Sequence, residues 1–167
     1  MSSTLLDICR WLEQTPLALA IQESQYGFPL VVGVHLLGLT LSVGTLLWVD
    51  LRMLGVTLRQ APLAHVYRSL APWFSVGFAL MLASGATLFT AFATLAYANG
   101  FFRLKVAAIG LAAANALLFH FVTRPATAAA DTPLSVRAAG LVSIVLWTFV
   151  VLAGRMMSYT MFVAPAQ

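Results

Sequence analysis

Four long apolar stretches constrain what this chain can fold into more than any other feature of its sequence. They cover residues 28–58, 72–97, 101–123 and 134–163, and each is longer than the roughly 20 residues that a helix needs to cross a bilayer. Of the 167 residues, 61% are hydrophobic and 8% are charged, so a water-soluble core cannot cover so much apolar surface. We therefore expect an all-α integral membrane protein, with the lipid bilayer as its first partner.

The connections between these spans are short, which favours an up-down four-helix bundle that forms a single domain. Residues 3–25 precede the first span and are predicted to form short helices, because Leu5, Ile8 and Leu12 lie on one apolar stripe. We expect this N-terminal segment to be interfacial, along the membrane surface. The alternative is a cover that packs on the bundle.

The charge of the loops predicts the orientation of the bundle, since cytoplasmic loops carry an excess of Lys and Arg. The loops after the first and third spans hold more of the basic residues than the opposite side does. This favours a bacterial inner membrane protein with both termini in the periplasm. The net charge of +4 comes from residues that are scattered singly, which excludes a nucleic-acid partner.

A seam of small and polar residues follows one face of the first span. Its members recur at steps of three and four: His35, Gly38, Ser42, Thr45, Val49 and Arg52. Such a seam marks the side of a membrane helix that faces other helices. An ionisable residue within a span indicates a functional site, and a neutral imidazole is the commonest metal ligand in proteins. We predict that His35 binds a metal or a haem, with Gly38 leaving room for the macrocycle. The alternative is a neutral histidine that bonds to a neighbouring helix.

Antiparallel helices bring three cations to the level of His35. Arg103 and Lys105 lie at the start of the third span, and Arg155 lies near the end of the fourth. Cations do not gather in a low-dielectric bundle without an anionic partner, which indicates a cofactor or substrate that carries negative charge. Haem propionates, a quinone oxygen and a lipid phosphate all meet this requirement. The alternative is that Arg103 and Lys105 extend to the lipid headgroups.

The other two histidines belong to the opposite end of the bundle. His65 precedes the second span, and His120 lies near the end of the third. A metal site formed by His65 and His120 is one prediction, and an interfacial surface position for His65 is the alternative. Asp50 at the same level is expected to pair with an arginine.

Several known enzyme motifs are absent from the sequence, which limits the functions to be expected. The sequence contains no Walker loop, no dinucleotide-binding glycine pattern and no HExxH, so no hydrolase or nucleotide-dependent enzyme is expected. Away from their ends the spans contain no Asp or Glu, which argues against a transporter that uses a carboxylate relay.

Two segments resemble a known family. The first reads GVHLLGLTLSVGTLLWVDLRMLG and is similar to the first-helix pattern of the copper-resistance protein D (CopD) superfamily. The second reads FFRLKVAAIGLAAANALLFH and is similar to the lysine-bearing helix of that superfamily and of the HemJ-type protoporphyrinogen oxidases. The matching positions are His35 and Lys105. The resemblance implies a small helical bacterial membrane protein that binds b-type haem or handles copper. HemJ-type proteins have histidine where this chain has Arg103, which argues against oxidase activity.

Our first prediction is a haem b protein in electron transfer, linked to quinone, with His35 as an axial ligand. In it Lys105 and Arg155 hold the propionates. The second axial ligand is left open among three residues: Met156, Met157 and His120.

Two other functions remain as alternatives. One is a copper-handling transporter or permease with His35 and Met81 on its path. The other is a non-catalytic membrane anchor or assembly subunit, in which the seam serves helix association alone. A bundle of this size is expected to work beside a redox partner protein or a second copy of itself.

Overall fold

The computed structural model describes residues 3–119 and 133–162, and within these ranges all regular structure is helical. The helices are α1 (Ser3–Glu13), α2 (Pro16–Glu23), α3 (Gly27–Met53), α4 (Leu63–Ala91), α5 (Ala93–Ala98), α6 (Gly100–Leu118) and α7 (Leu134–Phe162). Four of them, α3, α4, α6 and α7, are long and apolar enough to cross a membrane. This confirms the predicted all-α bundle with four membrane helices.

The bundle is assembled from two antiparallel pairs. α3 packs along α4, α6 packs along α7, and the pairs meet chiefly where α3 contacts α7. α4 and α6 also contact each other near one end, where the rings of Phe89 and Phe102 stack with their centroids 5.3 Å apart. One cluster of buried apolar side chains joins α4, α6 and α7 at Met81, Ala108, Ala112, Trp147 and Val150.

Three short helices, α1, α2 and α5, cover the end of the bundle where α3 begins and α4 ends, which we name the capped end. Cys9, Ala18 and Ile21 are buried there, at 5%, 0% and 5% exposure. The side chain of Gln22 donates a hydrogen bond to the carbonyl of Ala91 at 2.6 Å. The N-terminal segment is therefore a cover packed on the bundle, as the alternative predicted, while its place relative to the membrane surface stays a prediction.

The helix ends differ from the predicted spans where the backbone turns. α3 ends at Met53 instead of residue 58, because the following loop has positive φ at Gly55 (72°) and Leu58 (52°). α4 starts nine residues before the predicted span and contains Pro72. Its helical geometry is interrupted at Phe92, so the last part of that span forms the separate helix α5. The predicted ends of the third and fourth spans lie outside the described residues.

Candidate functional site at the capped end

His35 is held by α4 through one nitrogen of its ring. Nδ1 lies 3.1 Å from the carbonyl oxygen of Met81 and 3.1 Å from Oγ of Ser84. Because a carbonyl only accepts, Nδ1 is the protonated nitrogen and donates to it. Nε2 therefore carries the free lone pair, and within the described ranges no group hydrogen-bonds to it. Metal-binding histidines commonly have this arrangement, in which the ring nitrogen that does not bind the metal donates its N–H to a carbonyl.

The imidazole lies directly against Gly85. A Cβ atom at position 85 would be 3.1 Å from Cε1 of His35 and 3.5 Å from Nδ1, so a larger residue would press on the ring. Ser84 is itself fixed, because its hydroxyl donates to the carbonyl of Leu80 at 2.5 Å. These contacts hold the ring in one orientation. Ser84 and Gly85 were not predicted as site residues, although their small size within a membrane span was the available signal.

Lys105 reaches the same region from α6. Its side chain is half-buried and runs past Gly154 of α7, where an added Cβ would lie 3.4 Å from Nζ and 3.7 Å from Cε. The positive charge of Lys105 falls within electrostatic range of the His35 ring, and within the described residues no hydrogen bond joins the two side chains. Across residues 3–119 and 133–162, no hydrogen bond or ion pair reaches Nζ. The structure thus places His35 and Lys105 in the same region, and we name this pair the His35–Lys105 site; the binding of a cofactor by these residues stays a prediction.

The two arginines predicted for this site are placed differently. Arg103 and Arg155 are both exposed. The guanidinium of Arg155 donates to the hydroxyl of Tyr159 at 2.9 Å and lies over that ring, 4.6 Å from its centroid. Arg155 is therefore engaged with Tyr159 on the surface of α7, and within the described residues no hydrogen bond joins either arginine to His35 or Lys105.

Gly38 allows α3 to pack closely against α4. A Cβ at Gly38 would lie 2.7 Å from the backbone nitrogen of Met81, and one at Gly77 would lie 2.6 Å from the backbone nitrogen of Ser42. The prediction that Gly38 makes room for a macrocycle is not consistent with this packing, since the α4 backbone fills that space. Among the described residues the site offers one imidazole and one ammonium group, and the space beside Gly38 is filled by α4.

Comparison with known protein families found a match over most of the chain. Residues 20–160 match the family of unknown function DUF6644. The chain belongs to this family. The matched range includes the His35–Lys105 site, α3, α4, α6 and all but the last two residues of α7. No curated protein and no solved structure matches the chain.

The opposite end of this DUF6644 protein contains the remaining predicted residues. His65 is exposed near the start of α4, and His120 lies outside the described residues, so a metal site shared by them stays a prediction. The described part of the chain contains no group of three or more His, Cys, Asp or Glu side chains that could hold a metal ion. Asp50 accepts a hydrogen bond from Ser143, and Arg52 donates from Nε to the carbonyl of Ala61 at 2.8 Å. The partner of Asp50 is thus a serine of α7 and not the expected arginine.

Proposed function

We propose that this DUF6644 protein binds a b-type haem at the capped end and transfers electrons between quinone and a redox partner protein. The observation that carries the proposal is the orientation of His35. Its Nδ1 donates to a backbone carbonyl, and among the described residues its Nε2 has no hydrogen-bond partner and the nearby ammonium of Lys105 has no acidic partner. A neutral imidazole and a half-buried cation suit the iron and the carboxylates of one cofactor.

Each residue has a distinct part in this proposal. His35 would coordinate the iron through Nε2, while Met81 and Ser84 keep its ring in place. Lys105 would neutralise a propionate. The haem itself supplies the one-electron chemistry, and its potential would depend on how well the bundle excludes water and neutralises the carboxylates. The resemblance of the His35 and Lys105 segments to the CopD superfamily supports the same choice of cofactor.

We also propose a bacterial inner membrane location with both termini in the periplasm. The loops at the opposite end hold five basic residues and the capped end holds four: Arg52, Arg59, Arg68, Arg124 and Arg137 against Arg10, Arg103, Lys105 and Arg155. Because positive residues favour the cytoplasmic side, this distribution supports a capped end that faces the periplasm. The His35–Lys105 site would then be positioned to exchange electrons with a periplasmic partner or with a second copy of the chain.

A difference spectrum tests the haem proposal directly. The full chain is expressed with haem supplied, purified in a mild detergent, and its dithionite-reduced spectrum is compared with the oxidised one. We expect a sharp α band of the b type and about one haem per chain. A preparation that is folded by circular dichroism and shows no band contradicts the proposal. Stoichiometric copper in such a preparation would instead support copper handling through His35 and Met81.

One observation favours a second candidate, a non-catalytic membrane anchor or assembly subunit. The seam of α3 is used in close helix contact, since Gly38 and Gly77 leave no space between the two backbones. Packing alone thus accounts for part of the pattern that suggested a ligand. It does not account for Nζ of Lys105, which has no hydrogen bond or ion pair in the part of the chain that the structure describes. Absence of both haem and copper from the purified protein would favour this candidate.

A further inference from the structure

Asp50 is a carboxyl group buried between two membrane helices and only partly satisfied. It is 3% exposed and lies on α3, one turn before the end of that helix. Ser143 of α7 donates to its Oδ2 at 2.6 Å. No hydrogen bond from the described residues reaches the other oxygen, Oδ1. A carboxyl group in a membrane bundle is costly and indicates a function unless its oxygens are all bonded.

A cleft between α3 and α7 leads to this carboxyl group. Its volume is about 210 Å³, and its lining includes Val43, Leu46, Asp50, Trp147 and Leu152. On α3 it extends from position 43 to position 50, which is about 10 Å along a helix. Apart from Asp50 and Thr148, the lining is apolar, and both helices are membrane spans. An occupant would therefore enter from the lipid.

The size of the cleft limits what it can hold. A cavity of roughly 150 Å³ accommodates one benzene molecule, whereas drug-sized ligands occupy about 300–1,000 Å³. At about 210 Å³ the cleft has room for one substituted six-membered ring. The indole of Trp147, only 8% exposed, supplies an aromatic wall.

We propose that the cleft binds the ring of a quinol, whose hydroxyl donates a hydrogen bond to Oδ1 of Asp50 while Ser143 holds Oδ2. A quinol is soluble in the bilayer, presents one flat ring and carries the hydroxyl donor that Oδ1 lacks. Quinone linkage is part of the proposed function, and the structure adds the site where the ring would bind. Asp50 is fifteen residues from His35 on the same helix, about 22 Å along its axis, so the two sites are tested independently.

Ligand binding can be measured by the fluorescence of Trp147, because this residue lines the cleft. The other three tryptophans are exposed and are replaced by phenylalanine in the reporter protein: Trp11, Trp48 and Trp73. Decylubiquinol is titrated anaerobically into this protein in lipid nanodiscs, and the fluorescence of Trp147 is recorded. We expect a saturable change with one site per chain. Decylbenzene, which has the same chain on a ring without hydroxyl groups, should bind at least tenfold more weakly.

Two variants of the reporter locate the bound ring. Asp50→Leu removes the acceptor and should weaken binding at least tenfold. Leu152→Phe narrows the cleft and should weaken binding while the carboxyl group remains. Leu117→Phe on α6 is the matched control, because Leu117 and Leu152 are both 58% exposed and Leu117 is not part of the cleft. The control should bind decylubiquinol as the unmodified reporter does. Circular dichroism checks that each variant is folded.

Several results would overturn the proposal. They are the absence of a saturable change, equal binding of decylbenzene and decylubiquinol, or undiminished binding in folded Leu152→Phe. If Asp50→Leu does not fold, Leu152→Phe with its control decides the result. Loss of the haem band leaves the quinol titration unaffected, so failure of the proposed cofactor and failure of the quinol site are distinguishable.

Discussion

The carboxylate of Glu13 accepts two hydrogen bonds from Thr94, one from the backbone N–H at 2.8 Å and one from the hydroxyl at 2.6 Å. The two residues are 81 positions apart in the sequence. Thr94 lies in the first turn of α5, where backbone N–H groups have no partner within the helix. Glu13 of α1 thus caps α5 from outside and fastens the N-terminal segment to the bundle.

Loss of this cap should destabilise the protein. Glu13→Ala removes a charged acceptor from two donors, and we expect the free energy of unfolding to fall by about 1–3 kcal/mol. Thermal denaturation in detergent, followed by circular dichroism, measures the change. Glu23→Ala is the control, because Glu23 is exposed and should contribute little. Equal stability of the two variants would contradict a structural role for Glu13.

The close contact of α3 with α4 depends on Gly77. A Cβ there would lie 2.6 Å from the backbone nitrogen of Ser42, so Gly77→Ala should push the two helices apart and cost about 1–3 kcal/mol. Gly44→Ala on α3 is the matched control, since nothing lies within 4 Å of its Cβ position. The control should be neutral or slightly stabilising, because alanine favours a helix. Urea or thermal unfolding of the pair in the same detergent gives the comparison.

Ser143 stabilises the buried carboxyl group of Asp50. Ser143→Ala leaves Oδ2 without its donor, and we expect a loss of about 1–3 kcal/mol in the free energy of unfolding. Ser158→Ala is a suitable comparison, as Ser158 is exposed on the same helix and its hydroxyl bonds only to the backbone carbonyl of Gly154. A Ser143 variant as stable as the Ser158 variant would show that Asp50 does not need this contact.

His35→Ala should abolish the haem band, because it removes the proposed iron ligand. His65→Ala should retain the band, since His65 is exposed at the opposite end. Reduced-minus-oxidised spectra of the two variants, normalised to protein concentration, provide the measurement. A band that survives in His35→Ala would mean that another residue binds the iron.

Lys105 is expected to hold a propionate by charge. Lys105→Ala should weaken haem binding about tenfold, which corresponds to roughly 1.4 kcal/mol. Arg103→Ala, two residues earlier and exposed, should have a smaller effect. Haem titration of the apoprotein gives both dissociation constants. A larger loss of haem affinity in the Arg103 variant than in the Lys105 variant would indicate that Arg103, and not Lys105, holds the propionate.

The common depth of His35 and Lys105 could be predicted because the first and third spans of an up-down bundle start at the same end, so residues early in both lie at the same level. The interactions of Gly38 could not be predicted from the sequence. A small residue on a helix seam is compatible with a bound ligand and with a neighbouring backbone, and only the approach of α4 decides between them. The surface position of Arg155 was missed for a related reason, since its rotation about α7 was unknown.

The amino-acid sequence determined that this protein crosses a membrane with four helices, because lipid accepts a polar backbone only when the helix satisfies it internally. It also determined the depth of each polar residue, since position along a helix converts directly to distance. Tertiary structure decided which groups meet at that depth: Met81 and Ser84 with His35, and Ser143 with Asp50. These pairs depend on the rotation and separation of helices, which arise from packing between residues far apart in the chain.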